Sequence, residues 1–129
     1  MRKIITLLII SVILSCQNTT SPVQPKLGEE FEIEFGKQIT IPEEGISLQF
    51  SDVLEDSRCP KGVTCVWAGN AEIVIQLNDA EANLNTYLEP KQTNIHEYKV
   101  QLLSLNPYPK YNVELENKDY SAKLLITKN

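Results

Sequence analysis

The chain is poor in the residues that most chemistry needs. Its 129 residues hold one tryptophan, one histidine, one methionine and two arginines, and only 7% are aromatic. A zinc site takes about four ligands, and His96 is the only imidazole available to one. The same shortage leaves one candidate base for a nucleophile. No glycine-rich phosphate loop, no Gly-x-Ser-x-Gly and no His-Glu-x-x-His occurs. Ser, His and Asp are present, but no spacing among them selects a triad. These absences point away from an enzyme, and no catalytic residue, metal or cofactor is assigned. His96 reads as a surface or strand-end residue. Basic charge is scarce too, with 12 Lys+Arg against 17 Asp+Glu, a net charge of -5 and pI near 4.9. Without a clustered basic surface, nucleic acid is excluded as a partner. Long stretches of 3.6-residue periodicity are also missing, which excludes a helical bundle.

What is present suffices for one domain with a packed core: 129 residues, 42% of them hydrophobic. Arg2 and Lys3 precede an apolar run from Ile4 to Leu14, interrupted only by Thr6 and Ser11. Eleven helical residues rise only about 16 Å against about 30 Å of hydrocarbon, so this is a signal-peptide core rather than a span. It ends Ile13-Leu14-Ser15-Cys16, which resembles the lipobox of bacterial lipoproteins. The resemblance implies cleavage before Cys16, thioether attachment of diacylglycerol to its sulfur, and a stable anchor of two or three acyl chains. Residues 1-15 are then a signal peptide, and 16-26 a lipidated cysteine with a flexible tether carrying Pro22 and Pro25. Loss of Arg2 and Lys3 takes the net charge from -5 to -7. Gln17 is not the aspartate associated with inner-membrane retention. The expected location is therefore the bacterial cell envelope, exported and membrane-anchored by lipid, with the outer membrane favoured.

Residues 27-129 alternate as strands do. Phe31, Ile33 and Phe35 face one way and Glu32 and Glu34 the other. Ile39 and Ile41 follow, then Ile46, Leu48 and Phe50, after which the phase slips as at a bulge. Ile73, Ile75 and Leu77 resume it. A strand is expected over Asn83 to Glu89, because Thr86 and Tyr87 favour sheet. Tyr98, Val100 and Leu102 slip to Leu103 and Leu105. Val113 and Leu115 suggest a short strand, and Tyr120, Ala122, Leu124 and Ile126 a last one. About seven or eight short strands give an all-β, antiparallel fold, and a β-sandwich is favoured over a closed barrel.

Between the third and fourth runs lies the densest stretch of special residues, Asp52 to Asn70. Cys59 and Cys65 are separated by five residues that include Pro60 and Gly62, which lets the loop fold back within disulfide range. Export would place the pair where disulfides persist. A redox pair, a zinc site or a reactive thiol compete with that reading; each lacks its usual spacing or partners. Arg58 is expected to pair with Asp52, Glu55 or Asp56, and otherwise to recognise an anion. Trp67 is expected to pack in the core on the disulfide; exposed, it becomes an anchor for a partner. Gly69-Asn70 reads as a turn. If the domain binds an envelope protein or small ligand, the contacts expected are Arg58, Lys61 and Trp67.

The run Ser57-Arg58-Cys59-Pro60, a short loop, then Cys65-Val66-Trp67-Ala68-Gly69 resembles a motif of small bacterial secreted proteins and lipoproteins. The likeness extends over most of residues 46 to 78. It implies an exported β domain and no particular reaction. Two functions are carried forward: a non-enzymatic binding or structural module of the envelope, and an inhibitor of a secreted protease or hydrolase acting through the stapled loop.

Overall fold

A computed structural model describes residues 24-129. The expected signal peptide, Cys16 and most of the tether lie outside them. Among the described residues there are eight strands and one 3-10 turn at Asn117–Asp119. The strands are β1 (Glu30–Glu34), β2 (Gln38–Ile41), β3 (Ile46–Asp56), β4 (Ala71–Leu77), β5 (Ala80–Asn85), β6 (Gln92–Ile95), β7 (Tyr98–Asn106) and β8 (Ser121–Lys128). They form two four-stranded antiparallel sheets, ordered β1-β8-β7-β6 and β2-β3-β4-β5. The fold is a β-sandwich, as the alternation predicts.

The core lies between the sheets and is built from the alternating positions. Leu48, Phe50, Ile73, Ile75 and Leu77 from one sheet meet Val100, Leu102, Ala122, Leu124 and Ile126 from the other. Phe35 packs edge-to-face on Phe50 at 5.6 Å as the chain crosses from β1 to β2. Burying each large aliphatic side chain contributes roughly 1.5–3 kcal/mol.

The phase slips are bulges. Pairing of β3 with β4 jumps from Phe50 to Asp52 and again from Val53 to Glu55, and that of β7 with β8 jumps from Leu102 to Ser104. The supernumerary Leu54 and Leu103 are turned outward and are exposed. Two expectations fail. The strand expected at Asn83 to Glu89 begins at Ala80 instead, and residues 86–89 leave the sheet as bends. A tight turn at Asn78-Asp79, with Asn78 at φ 53°, returns the chain at once, so β5 is used up by Asn85. Val113 and Leu115 form no strand; they lie in a looped connection.

The loops are sorted by end. One end carries short turns at 42–45, 78–79 and 96–97, and His96 sits exposed in the last of them at φ 55°. The chain also enters the sandwich here, with Gly28 N–H donating to the Ile126 carbonyl. Glu44 bridges the sheets at this end: Tyr98 Oη donates to its carboxylate at 2.8 Å and Lys128 Nζ at 3.0 Å. The long connections 57–70, 86–91 and 107–120 all lie at the other end.

Candidate functional site

The three-loop end is a built structure. Strands β3 and β4 continue past their ends as paired loop arms: Ser57 N–H donates to the Asn70 carbonyl at 2.7 Å and Cys59 N–H to Ala68 at 2.9 Å. Gly69 permits this pairing. Its φ is +76°, and a Cβ there would lie 1.9 Å from the Ser57 carbonyl oxygen. Beyond the last rung the loop closes through the Cys59–Cys65 disulfide, with Cα atoms 5.9 Å apart. Closing so short a ring removes roughly 2 kcal/mol of unfolded-chain entropy.

Asn70, expected as a turn residue, is 1% exposed and is the hub of this end. Its side-chain carbonyl accepts from the backbone N–H groups of Tyr87 and Leu88 at 3.0 and 3.1 Å. Its amide donates to Asn85 Oδ1 at 2.8 Å and to Glu55 at 3.3 Å. The 86–91 loop is thereby bound to the cysteine loop by a fully satisfied buried amide.

Arg58 performs the same service for the 107–120 loop. It is 7% exposed. Nε and Nη2 donate to the two oxygens of Asp56 at 2.8 and 2.7 Å, a bidentate pair. Nη1 donates to the Leu105 carbonyl at 2.6 Å and Nη2 also to Pro107 at 3.1 Å. The guanidinium lies 5.0 Å from the centre of the Tyr108 ring, and Tyr120 Oη donates to Asp56 at 2.9 Å. Burial pushes the Asp56 carboxyl up, but Arg58 and Tyr120 outweigh it and hold it below the usual carboxylate range. Burial, with Asp56 beside it, raises the Tyr120 hydroxyl to about 12.

The expected contact residues therefore separate. Arg58 pairs with Asp56, one of its three expected partners, and its charge is turned inward rather than offered to a partner. Lys61 is exposed, its N–H donating to the Pro109 carbonyl and its ammonium 5.8 Å from the Tyr108 ring centre. Trp67 is not a core residue. It is 51% exposed and meets Tyr87 edge-to-face at 6.2 Å. The loop arms are closed backbone to backbone at Gly69, and Asn70 rather than Trp67 takes the buried position at their base.

Sequence reasoning missed the rest of this surface. Val66 is fully exposed at 105% of its reference area, and Val63, Tyr87 and Leu88 are exposed on the same two loops. Lys91 Nζ lies 5.8 Å from the Tyr87 ring centre. Singly, exposed apolar residues mean little; here they are gathered on two adjoining loops, with Trp67 and Tyr87 in contact. The one available signal was the polar neighbourhood of Tyr87-Leu88, which ends at Pro90. Among the described residues no group of three or more His, Cys, Asp or Glu could hold a metal ion. No family model, curated protein or solved structure matches the chain.

Proposed function

We propose that this protein is an exported, lipid-anchored module of the bacterial cell envelope, favouring the outer membrane, that binds an envelope partner without chemistry. The partner is gripped by the face formed by Val66, Trp67, Tyr87 and Leu88. The observation that carries this reading is the sorting of the ends. Three long loops, locked together by Asn70 and Arg58, display apolar side chains at the end opposite the entry of the chain at Gly28. A rigid scaffold with exposed loops is the usual carrier of binding residues. Strand β3 alone is about 35 Å long. Because the chain enters at the opposite end, the loop end is the part of the domain farthest from the point where a tether would attach.

Aromatic residues dominate the energy of such contacts. Trp67→Ala is expected to weaken capture of the partner from envelope extract about thirtyfold or more, a loss of about 2 kcal/mol. The denaturation midpoint of the purified variant should stay close to wild type, since the ring is half exposed. Undiminished capture, or unfolding of the variant, contradicts the reading.

The full exposure of Val66, directly after the disulfide-closed ring of residues 59–65, favours a second reading, an inhibitor of a secreted protease or hydrolase. A stapled loop loses little entropy on insertion into a cleft. Tight one-to-one inhibition, or cleavage within residues 60–68, distinguishes it from the binding module.

A further inference from the structure

The other flank of the cysteine loop holds a separate cavity. A cleft of about 270 Å³ lies between this loop and the 107–120 connection, lined by Asp56, Arg58, Lys110, Val113, Leu115 and Tyr120, with Pro60 and Pro109 at its sides. Its volume is just under the usual range for small-molecule sites. Loop arms bridge its rim, where Lys61 and Lys110 pair as an isolated parallel bridge.

The polar groups of the cleft are unevenly spent. Arg58 has five N–H donors. Four are engaged, by the two oxygens of Asp56 and the carbonyls of Leu105 and Pro107. One N–H on Nη1 is left over in a side chain more than nine-tenths buried. Both Asp56 oxygens are already taken, by Arg58 and Tyr120, so the cleft has little capacity to accept hydrogen bonds from a ligand. Lys110 makes no ion pair among the described residues. The charges of Arg58 and Asp56 cancel, which leaves the lining with one uncompensated positive charge, on Lys110. Val113, Leu115, Pro60 and Pro109 supply the cleft's apolar lining, the lesser part of an open and mostly polar surface.

We propose that this cleft binds a monocarboxylate with a small aliphatic body, its charge met by Lys110 and the unspent Arg58 N–H. One net cation suits a monoanion, and the carboxylate of Asp56 disfavours a dianion such as phosphate. A free carboxylic acid and the C-terminus of a peptide share this chemistry. The cleft is distinct from the Trp67 face and is assayed on the purified domain without any envelope partner, so either idea can fail alone.

The test is a ¹⁵N NMR titration of the folded domain with N-acetyl-leucine, with N-acetyl-leucinamide and inorganic phosphate as comparators. The expected result is saturable binding at about millimolar concentration. Shifts should centre on the Arg58 side-chain N–H, Val113, Leu115 and Tyr120. The amide should bind at least about tenfold more weakly, and so should N-acetyl-leucine to a Lys110→Gln variant whose remaining spectrum is unchanged. A short peptide ending in leucine, with its carboxylate free, separates the two sources: tighter binding than N-acetyl-leucine assigns a peptide terminus, and weaker binding a free acid. No saturation by N-acetyl-leucine, equal binding of the amide, tighter binding of phosphate, or indifference to Lys110→Gln overturns the proposal.

Discussion

Gly69→Ala is expected to destabilise the domain by about 3–4 kcal/mol. Two costs combine. A side chain at φ +76° costs about 1–2 kcal/mol. The new Cβ would then sit 1.9 Å from the Ser57 carbonyl oxygen and 2.7 Å from Arg58 Cα, and both are backbone atoms that cannot swing aside. Relieving that overlap separates the loop arms, at about 1–3 kcal/mol. The pairing of Ser57 with Asn70 and of Cys59 with Ala68 is the rung that would open. Gly62→Ala is the control. Its φ is +87°, but a Cβ there would meet nothing within 4 Å, so only the backbone cost remains. Denaturant unfolding of both variants should show Gly69→Ala losing at least about twice as much as Gly62→Ala. Equal losses would mean that the close approach of the loop arms does not hold this end together.

Arg58→Met is the second large effect. Replacing the guanidinium leaves Asp56 buried without a cation, and two carbonyls without their donor. Breaking a buried pair in this way costs about 3–5 kcal/mol, against a total stability of about 5–15 kcal/mol for a domain. The pH dependence should change sign as well. In the native protein Asp56 is held below its ordinary value, so its contribution is present above the unfolded pKa of about 3.9 and is lost as pH falls through the lower folded value. In Arg58→Met, burial acts against only the Tyr120 hydroxyl and the backbone N–H of residue 58, and the folded pKa of Asp56 is expected to move above the unfolded one. Protonation then favours the folded state, and the variant should gain stability as pH falls from neutral toward the unfolded value of about 3.9, where the native protein gains none from this group. Urea unfolding across that range reads the difference. A variant within about 1 kcal/mol of wild type, with the same pH slope, would show that Arg58 is a surface charge and not the bolt between β3 and the 107–120 loop.

How much of this is legible in the sequence depends on the range over which each residue acts. Ile46, Leu48 and Phe50, or Tyr120, Ala122, Leu124 and Ile126, announce their buried face by period two, because a strand's own geometry dictates it. The slips after Phe50 and Leu102 are readable for the same reason, since one extra residue inverts the alternation. Strand β6 offers almost no signal: of Gln92–Ile95 only Ile95 is buried. Asn70 cannot be found locally. Gly-Asn is a common turn pair, and its buried role depends on Glu55, Asn85 and Tyr87, which reach it only when β4 pairs with β3 and β5. The expectation for Trp67 follows a sound preference, aromatic against disulfide, that is defeated by the backbone pairing Gly69 allows. The acid beside Arg58 is close in sequence and therefore readable, yet its two carbonyl partners, at Leu105 and Pro107, are 47 and 49 residues away.

The most direct measurement places a photo-crosslinking residue at one of two exposed positions in the anchored protein, in living cells. Val66 is fully exposed on the cysteine loop, and Asp79 stands in a turn at the opposite end with its side chain 92% exposed. Irradiation should join the Val66 position to one discrete partner and the Asp79 position to none. No product from Val66, or the same product from both, would contradict a recognition surface at the three-loop end.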